Sequence, residues 1–241
     1  MHFTHQIEAL AYCHTPYKQK FGIPRQPGLV PSAKGYITLQ PAYNQPDTVR
    51  GLEQYSHLWL LFCFHENLKQ GWKPTVRPPR LGGNDKLGVF ATRSTFRPNG
   101  IGQSVVKLHN IHHKAGQLSL EISGMDLLDG TPIIDIKPYI PFSDSIVSAT
   151  GGFAQEAPQL VKVTFSTEAK AQLHEYRGYP NLQVLIEEVL AQDPRPAYKK
   201  GKIDLKQYHI TLFDLDISWQ TKDEAILVNQ IIPSNMPKSS M

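Results

Sequence analysis

The chain has 241 residues and a mass of 27.1 kDa, enough to bury a full core without disulfide or metal staples. Hydrophobic residues make up 40% and charged residues 19%, ordinary values for a globular protein, while 19 prolines and 17 glycines call for many turns and short strands. The net charge of +4 says little about partners, and two distant cysteines, Cys13 and Cys63, encode neither a zinc ribbon nor a disulfide framework.

The first twenty residues, MHFTHQIEALAYCHTPYKQK, contain no apolar signal-peptide core, and the longest apolar run, residues 58–64, is too short to span a bilayer. A soluble cytoplasmic protein with reduced thiols is expected. Residues 57–65, HLWLLFCFH, read as a central strand buried on both faces that delivers His65 and Glu66 at its end, with Cys63 out of reach inside it. Residues 87–91 and 105–108 read as further strands on either side of the Pro98-Asn99-Gly100 turn. Residues 117–123 alternate Leu118, Leu120 and Ile122 inward, and Asp129-Gly130 marks a turn into a strand over 132–136. No long segment of helical period occurs before residue 142, so residues 1–150 are expected to form one closed or strongly curved sheet.

Residues 148–158 turn to small residues and proline, as in a linker. Beyond it, residues 161–165 read as a strand, and Ser166 or Thr167 is placed to cap a helix with Glu168 in its first turn. Leu182, Leu185, Ile186, Val189 and Leu190 form a helical stripe that ends at Asp193-Pro194. Residues 207–219 and 225–232 alternate like a hairpin, and the tail after Pro233 is expected to fray. The expectation is a mainly β protein: a compact single-sheet β-barrel over 1–150, then a small α+β domain over 159–232.

Charge is unevenly spread. Residues 69–107 carry eight basic side chains, Arg77, Arg80, Arg93 and Arg97 among them, against one acid, Asp85. Such a block suits phosphates, and a solvated basic face is the plainer alternative. Arginines beside turns offer planar forks that suit carboxylate or phosphate, or else tie down loop carbonyls. A metal site is not expected, because His65-Glu66 and the cluster His109, His112 and His113 lack the helical spacing that brings ligands together. Nucleophile-elbow, dinucleotide and Walker motifs are absent.

The run from Gly88 to Asn99, GVFATRSTFRPN, closely resembles the motif of the TsaA (TrmO, YaeB-like) family of S-adenosylmethionine-dependent tRNA methyltransferases. PRQPG at 24–28, VRGL at 49–52, SHLW at 56–59, RPPRLGG at 77–83 and DIKPY at 135–139 are similar to the same family, as is DPRPAY at 193–198 to the extra domain of its longer bacterial forms. The resemblance implies a compact β-barrel and a homodimer. It also implies methylation of N6 of threonylcarbamoyl-adenosine at position 37, in the tRNA anticodon loop.

By the same resemblance, S-adenosylmethionine is expected at Pro24, Arg25, Gln26, His65, Glu66, Arg93, Asp126, Leu127, Leu128 and Asp129. For His65 the alternative is a core histidine, and for Asp126 and Asp129 the shaping of a turn. The general base is left open among Glu66, Asp126 and a water molecule. Arg97, Arg195, Tyr198, Lys199 and Lys200 are the expected RNA contacts, Tyr198 by stacking on a loop base. Two other readings stand beside this one: a non-catalytic RNA-binding barrel, and a metabolite sensor that ignores tRNA.

Overall fold

The structure, a computed structural model, describes residues 3–200, 202, 204 and 206–234. Six antiparallel strands close into a barrel: β1 (Ala11–His14), β2 (Lys34–Leu39), β3 (His57–Cys63), β6 (Ile101–Lys114), β7 (Gln117–Ser123) and β8 (Thr131–Pro138). Their order around the barrel is β1-β2-β7-β6-β3-β8, and β1 pairs with both β2 and β8 to close it. A two-residue pairing of β4 (Thr75–Val76) with β5 (Leu87–Gly88) lies within the long connection from β3 to β6.

Alternation builds the interior. Ile37, Leu58, Leu60, Val106, Leu120, Ile122 and Ile133 all point inward and are buried. Side chains fill so narrow a barrel, so a ligand must be held by the loops at its ends rather than in its lumen. On β3 only Leu58, Leu60 and Phe62 are buried. The expected two-sided burial is therefore corrected to one-sided: the strand lies in a barrel wall rather than between two layers. It stops at Cys63, which is half-buried, and His65 opens a 3-10 turn, His65–Gln70.

The expected strand over 87–91 is only β5 followed by a 3-10 turn at Val89–Ala91, and the strand expected over 105–108 is the middle of the fourteen-residue β6. β1 and β2 were not expected. Their inward alternation covers too few residues to rise above the prolines and glycines between them.

Downstream, α1 (Pro141–Asp144) is a single turn. The C-terminal unit is a four-stranded sheet in the order β10-β11-β12-β9, formed by β10 (Tyr208–Leu212), β11 (Leu215–Lys222), β12 (Ala225–Pro233) and β9 (Val163–Phe165), with β9 parallel to β12. The expected single strand over 207–219 is broken at Phe213, whose φ of 55° makes a tight turn. Helices α2 (Thr167–Glu175) and α3 (Leu182–Ala191) pack beside β9, and α2 also packs beside β12. Ser166 caps α2 by accepting a bond from the Ala169 amide at 3.0 Å. The stripe read from the sequence is the buried face of α3. Most of the tail expected to fray lies outside the described residues.

The two units share one apolar cluster. Tyr17 bridges to Leu212, Phe213 donates its amide to the Pro16 carbonyl at 2.8 Å, and Ser32 donates from both its amide and its hydroxyl to Glu188 at 2.9 and 2.6 Å. Phe21, Tyr208 and Trp219 stack in series across the seam. Gly22 sits at φ 90°, and a Cβ there would lie 2.0 Å from Ile210 Cδ1, so only glycine lets the chains come so close.

Candidate functional site

Strand direction decides which loops meet. In this barrel β1, β3 and β7 end at the same rim where β2, β6 and β8 begin. The connections 15–33, 64–100 and 124–130 therefore gather at that rim. They carry all ten residues expected to hold a cofactor, and the C-terminal unit leans on the first of them.

The centre of the site is the reach of Arg93 to the first loop. Arg93 donates from Nη1 to Oε1 of Gln26 at 2.6 Å. Among the described residues no carboxylate lies within ion-pair distance of Arg93, whose hydrogen bond goes to a neutral amide. Asp126 is the nearby acid. Ser104, buried on β6, donates from its hydroxyl to Asp126 Oδ1 at 2.6 Å. Burial pushes the Asp126 carboxyl up to about 6, against the opposing pull of Ser104, a backbone bond and the Arg93 charge.

Glu66 is more exposed, with His65 Nε2 3.8 Å from its Oε1, and its carbonyl accepts from Lys20 at 3.2 Å. Phe64 donates its amide to Gly100 at 2.8 Å, which ties the start of this turn to the Pro98–Gly100 turn.

The remaining expected residues divide. Asp129 accepts from the Thr15 amide at 2.9 Å and pairs with Lys18 at 2.6 Å, while Leu127 is buried and its carbonyl accepts from the Thr15 hydroxyl at 3.0 Å. The Leu128 carbonyl accepts from Thr131. Turn shaping is thus what Asp129 does here, and residues 127–129 lock the third loop to the first. Pro24 is buried beneath the first loop.

Arg25 and Gln26 are adjacent but serve different places. Gln26 faces Arg93, whereas Arg25 lines a cleft of about 470 Å³ with Arg77, Asn84 and Tyr198. A smaller cleft of about 230 Å³ lies beside Trp72, Arg97 and Asn99.

Arg97 donates to the carbonyls of Thr92 and Val89 at 2.5 and 3.2 Å and so closes its own loop from within. Arg195, expected to touch RNA, is 5% exposed and grips Asp193 with two bonds of 2.8 and 2.9 Å. Lys199 pairs with Asp204 at 2.9 Å, Lys200 donates to the Gln192 carbonyl at 3.3 Å, and Tyr198 is exposed. Two features at this rim escaped the sequence reading: Ser104, whose hydroxyl looks like any other strand serine, and Arg77 as part of a cleft. His109 bonds Ser123 and His112 bonds Glu121. Among the described residues no group of three or more His, Cys, Asp or Glu is placed to hold a metal ion.

Fold and site together define a closed six-stranded barrel whose rim carries an unpaired guanidinium and a poised carboxylate, with an α+β unit braced against that rim. The tRNA-methyltransferase O N-terminal domain family matches residues 12–145, and the TrmO C-terminal domain family matches residues 158–234. The chain belongs to the tRNA-methyltransferase O family. It is 50% identical over 230 residues to the tRNA (adenine(37)-N6)-methyltransferase of Escherichia coli K12, covering 95% of this chain and 98% of that one. A Pseudomonas aeruginosa relative, provisionally named an S-adenosylmethionine-dependent methyltransferase, is 50% identical over 218 residues, covering 90% and 92%. A crystal structure of TrmO from Pseudomonas aeruginosa superposes with a TM-score of 0.80 at 41% identity, covering 95% of this chain and 99% of that one.

Proposed function

We propose that this chain is an S-adenosylmethionine-dependent tRNA methyltransferase that methylates N6 of threonylcarbamoyl-adenosine at position 37, beside the anticodon. The observation that carries the reading is the placing on one rim of Arg93, bonded to the neutral Gln26 amide, and of Asp126, close enough to feel its charge, in a member of this family.

The donor set fits the cofactor. Arg93, held by Gln26, answers the carboxylate of the methionine moiety; Glu66, Asp126 and the backbone of residues 127–129 offer acceptors for its amino group, ribose hydroxyls and adenine amine. Pro24 and His65 complete the wall. When bound, the cofactor supplies a methyl group already activated by its sulfonium.

The protein's tasks are then to position the two reactants and to handle one proton. N6 gains the methyl group that the cofactor would supply and must lose its hydrogen to a group of the protein or to water. Asp126 suits that task better than Glu66. Its carboxyl is ionised above about 6, and burial keeps it basic enough to accept a proton near neutrality. The residues toward RNA are Tyr198, Lys199 and Lys200 at the surface, while Arg97 and Arg195 act through the loops they hold.

We further read the chain as a cytoplasmic homodimer, with exposed Phe142, Ile146 and Val147 offering apolar surface to a second copy. Among the described residues no helix is long and apolar enough to cross a membrane. Incorporation of labelled methyl into tRNA tests the reading. Transfer is expected with tRNA bearing threonylcarbamoyl-adenosine and not with tRNA lacking that modification. Equal transfer to both, or to neither, would contradict it.

A further inference from the structure

The cleft at the seam between barrel and C-terminal unit has no part in the chemistry described above. One wall is the barrel loop 77–84, with Arg77 and Asn84. The other is the turn Pro196–Tyr198, and Arg25 of the first rim loop joins them. The loop is fastened from outside, where Arg80 donates to the Glu156 carbonyl. The turn is fastened from below by the buried Asp193–Arg195 pair, whose Arg195 Nη1 has no hydrogen-bond partner among the described residues. Arg25, Arg195 and Lys200 lie near enough to act on one another, with Asp193 the acid among them. At the mouth Tyr198 keeps 65% of its surface in water although it is a large aromatic on a fastened turn.

Arginine forks beside an exposed aromatic face form a chemical pair suited to single-stranded nucleic acid: the cations take phosphate and the ring takes a base. Resting on the proposed tRNA methylation, we infer that this cleft seats an anticodon-loop nucleotide neighbouring the methylated one, its base stacked on Tyr198 and its phosphate held by Arg25 and Arg77. The C-terminal unit is then a substrate clamp. Arg25 moves from the cofactor's residues to the RNA's, while its neighbour Gln26 stays with Arg93. The loop 15–33 would thereby link the two ligands, since one of its residues faces each.

The test uses the full chain with unfractionated tRNA from a strain lacking this enzyme. It follows the KM for tRNA, the salt dependence of tRNA binding, and the Kd for S-adenosylmethionine. Tyr198→Ala should raise the KM for tRNA about tenfold, with Tyr198→Phe restoring it, because stacking needs the ring and not the hydroxyl. Arg25→Gln and Arg77→Gln should each lower the log–log salt slope by about 0.7, as expected for one lost contact to a single strand. The Tyr198 and Arg77 variants should bind S-adenosylmethionine like the parent.

An unchanged KM in Tyr198→Ala together with an unchanged slope in Arg77→Gln, in a parent that methylates tRNA, would overturn the cleft alone. Weakened cofactor binding with an unchanged slope in Arg25→Gln would return Arg25 to the cofactor and overturn its assignment here. A parent that transfers no methyl to tRNA would overturn the functional reading, and this inference with it.

Discussion

Arg93 donates to Gln26 across 67 residues of sequence and joins the longest rim connection to the first. The bond aims a cation without neutralising it, because the acceptor is an amide. Arg93→Ala should therefore weaken S-adenosylmethionine binding about 10- to 100-fold, the range for a lost charge-assisted bond. Gln26→Ala should weaken it less, by misaiming the guanidinium. Calorimetry on both variants checks this, and equal affinity in parent and Arg93→Ala would remove Arg93 from the site.

Asp126 makes the site sensitive to pH in two opposite ways. Its carboxyl is raised by burial from 3.8 to about 6, so the folded state holds a proton that the unfolded state releases at lower pH. Its contribution to stability is complete below about 4 and is lost as pH rises through 6. Methyl transfer should do the reverse and climb with pH through about 6. Asp126→Asn keeps an acceptor for Ser104 but cannot ionise. It should lose most activity and gain on the order of 2 kcal/mol at neutral pH. Denaturation against pH, with rates measured alongside, checks both arms; Glu66→Gln should leave the acid limb of the rate profile in place.

The third rim loop is tied to the first by Asp129, which accepts from the Thr15 amide and pairs with Lys18. Asp129→Ala leaves the Thr15 amide and Lys18 without their acceptor, and should cost about 1–3 kcal/mol of stability. Lys18→Met removes only the partly exposed ion pair and should cost less than 1 kcal/mol. Urea midpoints separate the two.

The barrel was legible in β7, where inward leucines alternate, and in part in β3, read as a strand but with two buried faces, and in β6, read only over residues 105–108. It was not legible in β1, whose four residues give two inward positions. For the site, the sequence carried the residue types and the resemblance their grouping, but not their commitments. Arg195 and Tyr198 look equally available to RNA in DPRPAY, yet one is buried against Asp193 and the other faces water. Burial of a charge depends on what packs over it, which a local stretch does not record. The seam was hidden for the same reason: barrel closure brings the loops of Arg25 and Arg77 to one rim, and Tyr198 joins them only because the C-terminal unit packs against that rim.

The buried pair offers its own test. Asp193→Ala strands the Arg195 charge with 5% of its surface exposed, and should cost about 3–5 kcal/mol. Replacing both residues with apolar ones of similar size should recover most of that loss. Thermal melts of the single and double variants check it.

The central claim is the nucleotide on which the methyl group lands. Labelled S-adenosylmethionine, purified protein and tRNA from a strain lacking this enzyme should, after digestion to nucleosides, give label in one species, N6-methylated threonylcarbamoyl-adenosine. Label in another nucleoside, or none while the cofactor binds and the modified base is present, would contradict the account.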